Sequence, residues 1–407
     1  MTHRVVITGV GLRTPLGSTA DALVEALRNG RSGVRRISDW DWVSDLRTHV
    51  AGIADDAGGP ALSRSVRRIS GRVGVLAIGS LDDAIRDAGL THEQVSGEDA
   101  WLLVGSTLGA LADIERMMVR LRNSATVLGS ETAGALRSMA HTAAVSCALH
   151  LRFRGRLLAP SAACATGSMC IGLGYEAIRD GRAEVVLAGG ADESHVSTAA
   201  TFDALQAAST HYDDRPTETP RPFDAARDGI VCAEGAAFVV LESWERASAR
   251  GARIHAEVCG FATSSSGTGA ATPDADTIAR CMRGALRDAG AAAGPVRYVN
   301  AHATGTVTGD SAESAAIAQV LGDRVAVSST KGHMGHTMAA AGAIESIVCA
   351  LLLRERFLHP TLNLTDVAED CRGVDHVTSV RDLQPGTILK NSFALGGLHT
   401  CLVFAPA

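Results

Sequence analysis

The stretch Ser161-Ala162-Ala163-Cys164-Ala165-Thr166-Gly167-Ser168-Met169 decides how the rest of the chain is interpreted. Small residues surround the cysteine, apolar residues over 171–178 follow at mixed helical spacing, and 183–190 is typical of a buried strand. The pattern therefore predicts a turn, a cysteine, a buried helix and a strand, in that order.

Cys164 stands at the start of the predicted helix. A helix N-terminus presents unpaired N–H groups and the positive end of the helix dipole, and both favour a thiolate over a thiol. A cysteine in that position can have a lowered pKa and act as a nucleophile. Buried cysteines more often serve as small apolar side chains, so position alone leaves both interpretations open.

Length and composition limit the possible classes of protein. A chain of 407 residues is long for one core, which predicts two domains or one duplicated unit. With 46% hydrophobic residues and no apolar run of membrane-spanning length, we expect a soluble protein with no membrane span. Nine cysteines without a CxxC pair predict reduced thiols in a cytoplasm and argue against disulfides or zinc. A net charge of −6 gives no support to nucleic-acid binding.

Strand-like and helix-like segments alternate along the chain, which predicts an α/β fold. The opening Gly9 and Gly11 fit a turn better than a dinucleotide loop, because Thr14 replaces the third glycine of that motif. The helical segment 108–154 interrupts the alternation and is interpreted as an inserted dimerisation or cap layer. The polar segment 211–228 is predicted to be a surface loop. The alternation restarts near residue 253, so we place the two halves at 1–252 and 253–407.

One short segment concentrates positive charge. Arg64, Arg67, Arg68 and Arg72 fall within nine residues. A run of this kind is often only a solvated helix face, but on an acidic protein it could also dock an acidic partner.

Polar residues follow two predicted strands of the second half. His302 ends a strand, where α/β sheets form ligand crevices, although a core histidine could occupy the same position. Asp310 and Glu313 have the spacing of a helix capping box. Lys331 follows the next strand and has a possible counter-charge in Glu345; it could be a surface residue, or a buried one that needs that partner.

Four ordered motifs resemble one family. They are the stretch around Cys164, Asn300-Ala301-His302 with Thr304 and Thr306, Ser329-Thr330-Lys331 through Gly335-His336 to Glu345, and the terminal Asn391-Ser392-Phe393 with Gly396-Gly397. The whole chain is similar to the elongating beta-ketoacyl-acyl carrier protein synthases of fatty acid and type II polyketide synthesis. The resemblance implies a thiolase-like fold, with two duplicated α/β halves in a five-layer α-β-α-β-α core.

The resemblance also implies a role for each matched residue. Cys164 would form the acyl-enzyme, and the N–H groups of Cys164 and Leu395 would hold its oxyanion. His302 and His336 would stabilise the enolate formed by decarboxylation of malonyl-carrier protein, with Lys331 and Glu345 as their electrostatic support. Further implied residues are Phe393 as support, Thr304, Thr306, Phe202 and Leu108 as substrate contacts, and the four arginines as the docking site for acyl carrier protein.

The resemblance implies no bound cofactor, because the carrier protein brings its own phosphopantetheine arm. From the cysteine spacing we expect no metal site. The resemblance implies either a homodimer or a heterodimer with a chain length factor. The turn Ala394-Leu395-Gly396-Gly397-Leu398-His399 departs from the usual Gly-Phe-Gly-Gly-Thr-Asn, which favours a specialised polyketide role. A degradative thiolase, a priming synthase and a non-catalytic chain length factor are the alternatives. The position of Cys401 disfavours a degradative thiolase, and the pair of histidines disfavours a priming synthase. The presence of Cys164 disfavours a non-catalytic chain length factor.

Overall fold

The chain folds into two halves that repeat one pattern of strand pairing. The structure, a computed structural model, describes residues 2–55, 59–124, 132–267, 269 and 272–407. Its strands are β1 (Val5–Arg13), β2 (Val34–Arg36), β3 (Val50–Gly52), β4 (Ala100–Gly105), β5 (Arg156–Leu158), β6 (Val185–Asp192), β7 (Gly235–Ser243), β8 (Ala256–Ser265), β9 (Val296–Asn300), β10 (Ala326–Ser328), β11 (Phe357–Leu358), β12 (Asp375–His376), β13 (Arg381–Asp382), β14 (Thr387–Ala394) and β15 (Leu398–Ala405).

The helices fall between these strands, as the alternation predicts. They are α1 (Ala20–Arg28), α2 (Arg64–Asp87), α3 (Leu111–Ser124), α4 (Thr132–Arg137), α5 (Thr142–Leu151), α6 (Thr166–Arg179), α7 (Val196–Ala204), α8 (Trp244–Ala249), α9 (Ala275–Ala289), α10 (Val307–Leu321), α11 (Lys331–Met334) and α12 (Ala341–Glu355). Helices α3, α4 and α5 occupy the predicted insertion, of which residues 125–131 lie outside the described ranges.

Strand pairing shows the duplication directly. In the first half the order is β5-β4-β6-β7-β1, with β7 antiparallel to both neighbours and the pairs β6–β4 and β4–β5 parallel. In the second half β10-β9-β14-β15-β8 repeats this sequence of orientations, and β12 extends it at the edge. The halves join where β1 pairs with β8 over three residues, Val5 to Ile7.

Helices and sheets form five layers, which confirms the predicted fold class. Helix α2 packs on β1 and β7 outside the first sheet, and α9 packs on β8 and β15 outside the second. Helices α6 and α12 contact each other and strands of both halves. An inner core lies around α6 and α12, and an outer core lies under each outer helix layer. Both central helices therefore face apolar surroundings on two sides, which explains why α12 has no polar face.

Two glycines let the central helices meet at their N-terminal ends. A Cβ atom on Gly167 of α6 would lie 2.6 Å from the backbone nitrogen of Ala343. A Cβ atom on Gly342 of α12 would lie 2.3 Å from the backbone nitrogen of Ser168. No side chain larger than hydrogen fits at either position without moving a helix, because the opposing atoms belong to the backbone.

Two local expectations from the sequence are wrong. The segment 211–228 is not wholly a surface loop, since Phe223 and Asp224 are fully buried. Although burial opposes it, hydrogen bonds from Arg221 and from backbone N–H groups lower the pKa of Asp224 to about 2. Asp310 and Glu313 do not cap a helix, because α10 begins earlier, at Val307. Their carboxylates instead bind the loop before the helix.

The arginine-rich run and the next apolar segment form one helix, α2, with a break at Gly71, where φ is 58°. The run therefore supplies the first turns of a helix whose later turns pack in the core. Within the described ranges, no helix combines the length and apolar composition needed to cross a membrane.

The helix contact predicts the effect of one added methyl group. We expect Gly342→Ala to lower the free energy of unfolding by about 1–3 kcal/mol, the usual cost of overpacking, and to lower activity because the start of α6 must move. Gly97→Ala is the matched control, since a Cβ atom there meets nothing within 4 Å. Denaturant midpoints of the two variants measure the difference, and equal midpoints would contradict the tight contact.

Candidate active site

Cys164 lies in a single 3-10 turn, Ala163–Ala165, directly before α6. The turn is strained, because Ala163 has a φ of 44° although it carries a side chain. Thr166 holds it from the first helical position. Its hydroxyl donates to the Ala163 carbonyl at 2.7 Å and accepts from the Ala162 N–H at 2.9 Å. The sequence Ala-Cys-Ala-Thr thus builds a bend that fixes the cysteine at the helix entrance.

The electrostatics of the thiol differ from the sequence-based expectation. Burial raises the pKa of Cys164 to about 12, while the Lys331 ammonium and the backbone N–H of Cys164 itself act in the opposite direction. The helix start therefore does not by itself give a thiolate. The thiol is the resting form at neutral pH, so it must lose its proton when substrate is attacked.

His302 and His336 lie side by side at the ends of two second-half segments. Their ring centroids are 5.2 Å apart, with the rings nearly perpendicular. His302 follows β9, and the Glu313 carboxylate accepts its backbone N–H at 2.9 Å. The backbone of His336 pairs with the segment around Cys232, which crosses from the first half.

One hydrogen bond fixes the tautomer of His336. The backbone N–H of Met338 donates to Nδ1 of His336 at 3.2 Å, so the ring proton must be on Nε2. That Nε2 atom is buried and has no hydrogen-bond partner among the described residues. Nδ1 of His302 is likewise buried without a partner within the described ranges. Both rings therefore have a nitrogen available to a bound molecule.

Both histidines are neutral at pH 7. Burial lowers the pKa of His302 and of His336 well below 6.5, and the charge of Lys331 adds to the effect. Lys390 contributes in the same direction for both rings. Neutral imidazoles can donate a hydrogen bond without adding a buried charge.

The only two lysines of the chain meet at one carboxylate. Lys331 Nζ lies 2.5 Å from Glu345 Oε1, and Lys390 Nζ lies 3.1 Å from Glu345 Oε2. All three side chains are at least 97% buried. The structure thus brings together the predicted Lys331 and Glu345. It adds Lys390, which sequence reasoning missed although a lone lysine after the apolar Ile388 and Leu389 was a signal.

Buried carboxylates hold the loops that form the site. Asp192 accepts hydrogen bonds from Ser106, from Thr107 and from the Ala339 N–H at 2.7 Å. Asp310 accepts the N–H groups of Thr304, Gly305 and Phe223, and Glu313 accepts those of His302 and Ala303. Burial raises the pKa of Asp310 to about 7. Sequence reasoning missed Asp192 and misassigned the other two.

One cavity of about 400 Å³ is lined by the nucleophile and both histidines. The predicted site residues that line it are Cys164, His302, His336, Thr304, Thr306, Phe202, Phe393 and Leu395. The Thr304 and Thr306 hydroxyls are 3.1 Å apart, and the Phe393 ring lies 5.5 Å from that of His302. Leu395 is half exposed, in the turn between β14 and β15.

Two predicted contacts lie elsewhere. Leu108 is exposed and is not among the described residues that line the cavity, so its substrate contact stays a prediction. Arg72 binds the buried Glu234 carboxylate through two nitrogens, one at 2.9 Å, while more than a third of its own side chain is exposed, and its place in the docking site stays a prediction. Arg64, Arg67 and Arg68 are exposed on the first turns of α2.

Family comparisons match both halves of the chain. A model described as Beta-ketoacyl synthase, N-terminal domain, matches residues 2–247, and one described as Beta-ketoacyl synthase, C-terminal domain, matches residues 255–365. The chain belongs to the beta-ketoacyl synthase family. The resemblance seen in the sequence is thereby confirmed, and this beta-ketoacyl synthase is a condensing enzyme of the acyltransferase class.

Relatives of this beta-ketoacyl synthase come from two kinds of metabolism. It is 36% identical to 3-oxoacyl-[acyl-carrier-protein] synthase 1 of Haemophilus influenzae, over 99% of this chain and 98% of the relative. It is 34% identical to the tetracenomycin polyketide synthase ketoacyl synthase alpha subunit of Streptomyces glaucescens, over 99% of this chain and 97% of the relative. A solved beta-ketoacyl synthase from Burkholderia phymatum has a TM-score of 0.95 and 41% identity, with both chains fully covered.

Another solved relative is described as a type II polyketide acyl carrier protein in complex with its ketosynthase bound to the hexaketide. Its matched chain and this one are 28% identical and fully covered, with a TM-score of 0.88.

The two lysines are predicted to act on different groups. The charge of Lys331 lowers the pKa of Cys164 and of both histidines, whereas Lys390 is not among the charges that most affect the pKa of Cys164. We therefore expect Lys331→Met to raise the pKa of Cys164 and slow its alkylation by iodoacetamide. Each unit of increase lowers the thiolate fraction about tenfold.

Lys390→Met is the matched control, because Glu345 keeps one lysine in either variant. It should leave the alkylation rate of Cys164 near that of the parent. Mass spectrometry of the Cys164 peptide over a series of pH values measures the rates. Equal slowing of Cys164 alkylation in both variants would contradict separate roles for the two lysines.

Proposed function

We propose that this beta-ketoacyl synthase elongates an acyl chain held on Cys164 with two carbons from malonyl-acyl carrier protein. The observation that carries the proposal is the Nε2–H of His336, which has no partner among the described residues, in a residue that lines the same cavity as Cys164. A fixed donor beside a nucleophile can stabilise an oxyanion without reorganisation during the reaction. The relatives named as 3-oxoacyl-[acyl-carrier-protein] synthases support the same substrate class.

The first half-reaction loads the enzyme. Cys164 Sγ attacks the acyl thioester of the carrier protein. A new C–S bond forms, the C–S bond to the pantetheine arm breaks, and the thiol proton passes to the departing pantetheine sulfur. The N–H groups of Cys164 and Leu395 are the proposed oxyanion donors. Thr304 and Thr306 are the proposed contacts of the pantetheine arm, since their paired hydroxyls line the cavity.

The second half-reaction forms the new carbon-carbon bond. Malonyl thioester loses carbon dioxide, and the electron pair of the broken C–C bond moves to an enolate whose oxygen accepts hydrogen bonds from His336 and His302. The enolate carbon then attacks the acyl group on Cys164. The C–S bond to Cys164 breaks, and its sulfur recovers a proton from solvent.

The buried lysines supply the electrostatic setting for both anions. Two lysines and one glutamate carry a formal charge of +1 when all are ionised. In a buried site this charge acts with little screening, so it favours enolate and thiolate over their neutral forms. Burial and, to a lesser extent, the same charge lower the pKa of His302 and of His336 and so keep both unprotonated.

The turn at the cavity entrance suggests the acyl preference. Leu395 is half exposed there and offers no ring to cover the opening. We propose that the pocket is loosely gated and accepts longer or more unsaturated chains than a housekeeping fatty acid enzyme does. The relatives include enzymes of both fatty acid and polyketide synthesis. Of these two roles, a loosely gated pocket favours a specialised polyketide role.

The segment 108–154 remains our proposed surface for association with a second subunit. Large apolar side chains are exposed on its described helices, at Met118, Val119, Leu121, Leu136 and Leu149, and at Met139 between α4 and α5. Exposed apolar patches often mark protein interfaces. One solved relative is described as a ketosynthase/chain length factor. The pairing proposed for this chain is therefore a homodimer or a heterodimer of that kind.

The two half-reactions can be separated by mutation. Cys164→Ala should abolish the acyl-enzyme, whereas His336→Ala should still acylate but lose about 10²–10³-fold in malonyl decarboxylation, the usual effect of one oxyanion donor. His302→Ala should behave like His336→Ala. Intact-mass spectrometry follows acylation, and carbon dioxide release follows decarboxylation.

Cys170→Ala is the control for the cysteine, because Cys170 is buried in α6 but packs in the central core rather than lining the cavity. It should acylate like the parent. Normal decarboxylation by His336→Ala, or an acyl adduct on Cys164→Ala, would refute the assignment.

Exposed arginines on α2 are the proposed docking site for the acidic carrier protein. Arg67→Glu and Arg68→Glu should each weaken carrier-protein binding, and the loss should shrink with added salt, since screening acts over about 8–10 Å at physiological ionic strength. Turnover of a small pantetheine thioester should not change. Arg324→Glu, an exposed reversal in the second half, is the control. Equal effects of Arg67→Glu and Arg324→Glu would show that only net charge matters.

Leu395→Phe tests the proposed gate. A larger ring at the entrance should shift preference toward shorter acyl groups by about 1–3 kcal/mol, the usual value for hydrophobic pocket differences. Competition between short and long acyl-carrier substrates measures the shift. An unchanged ratio would show that this turn does not select chain length.

A further inference from the structure

A second cluster of reactive side chains lies on the outer layer of the first half. His92 Nε2 is 3.0 Å from Asp82 Oδ1, and His150 Nε2 is 2.9 Å from the same oxygen and 3.0 Å from Oδ2. The three residues come from different places: Asp82 is on α2, His92 follows that helix, and His150 is in the last turn of α5. The proposed reaction does not use them.

The donor atoms have the arrangement of a metal site. One ligand atom from each residue lies within 4.8 Å of the other two. The imidazole rings are 5.3 Å apart at 69°, and both direct Nε2 at the same carboxylate. Tetrahedral ligands at about 2.0–2.1 Å from zinc stand a little over 3 Å from one another. Small side-chain movements would therefore open a position for an ion between the three groups.

Hydrogen bonding alone is the competing explanation. Each imidazole could donate an Nε2 proton to Asp82, which would satisfy the carboxylate without an ion. The exposure of the three side chains is also compatible with a bound metal ion. The His92 side chain is 45% exposed, while Asp82 and His150 are mostly buried. The base of the cluster is thus held by α2 and α5, and its outer side is open to water as a fourth ligand.

We propose that Asp82, His92 and His150 bind one divalent transition-metal ion of the zinc class. Two imidazoles and one carboxylate suit zinc, cobalt or nickel, whereas magnesium and calcium prefer sites made of oxygen ligands. The ion would join α2 to the end of α5 and so stabilise the outer layer. The sequence-based expectation of no metal site rested on cysteine spacing, which cannot detect ligands brought together by packing.

Zinc titration of the untagged full chain tests the site. The titration uses a Cys164→Ala background, because the thiol and histidines of the cavity could take up the same ion. We expect saturable binding of one Zn²⁺ per chain by calorimetry, no binding of Mg²⁺, and a thermal midpoint that rises with zinc concentration. Both zinc effects should disappear in Asp82→Asn and in His92→Gln.

His195→Gln is the matched control, because His195 forms a single histidine–carboxylate pair with Glu115 at 3.1 Å. It should bind zinc like the Cys164→Ala parent. His92 is exposed, so His92→Gln is expected to fold normally, and its midpoint without zinc checks this. Zinc binding that persists in His92→Gln and Asp82→Asn, or no saturable binding by the parent, would overturn the proposal. In that case the cluster is held by hydrogen bonds alone.

Discussion

The contact between the N-terminal ends of α6 and α12 is the constraint on which the candidate site depends. Cys164 lies just before α6, and His336 and Glu345 lie on either side of the start of α12. Because Gly167 and Gly342 bring the two backbones together, the spacing of the helices is also the spacing of the nucleophile and its partners. Each half of the duplicated fold contributes one side of the site. The reactive groups are therefore positioned by main-chain packing rather than by mobile loops.

A second constraint is the cost of burying charge. The site contains carboxylates, ammonium groups and imidazoles that have little access to water. Each carboxylate is used in one of two ways: Glu345 is paired with lysines, while Asp192, Asp310 and Glu313 accept backbone N–H groups of the loops that line the cavity. Buried acids with satisfied oxygens hold those loops in one arrangement. The histidines are left neutral, which suits groups that must donate hydrogen bonds to a transient anion.

Much of the fold could be predicted from the sequence, because strand and helix patterns are local. The strands around 100–105 and 185–190 and the buried helix after Cys164 follow from runs of apolar residues. Cys164, His302, His336, Lys331 and Glu345 could be named because they occupy recognisable motifs. Lys390 could not be assigned, since its partner Glu345 is 45 residues away in sequence and only strand β14 brings them together.

Two further features of the fold depend on contacts between segments that are distant in the sequence. Polar composition predicts an exposed loop at 211–228, but Asp224 is buried because five donors surround its carboxylate, including backbone N–H groups from a distant segment. The four arginines form one charged run in the sequence, yet the rotation of α2 turns Arg72 toward the buried Glu234. In both cases hydrogen-bond partners across the fold decide what the side chain contacts, and a single sequence does not contain that information.

The buried position of both lysines has a practical consequence for experiments in solution. Lysine-directed reagents, such as amine-reactive dyes and cross-linkers, find no lysine side chain on the surface of the native fold. Acylation of Lys331 or Lys390 requires local or global opening of the central layer. The rate of that modification would therefore report how often the middle of the molecule opens, with no engineered probe needed.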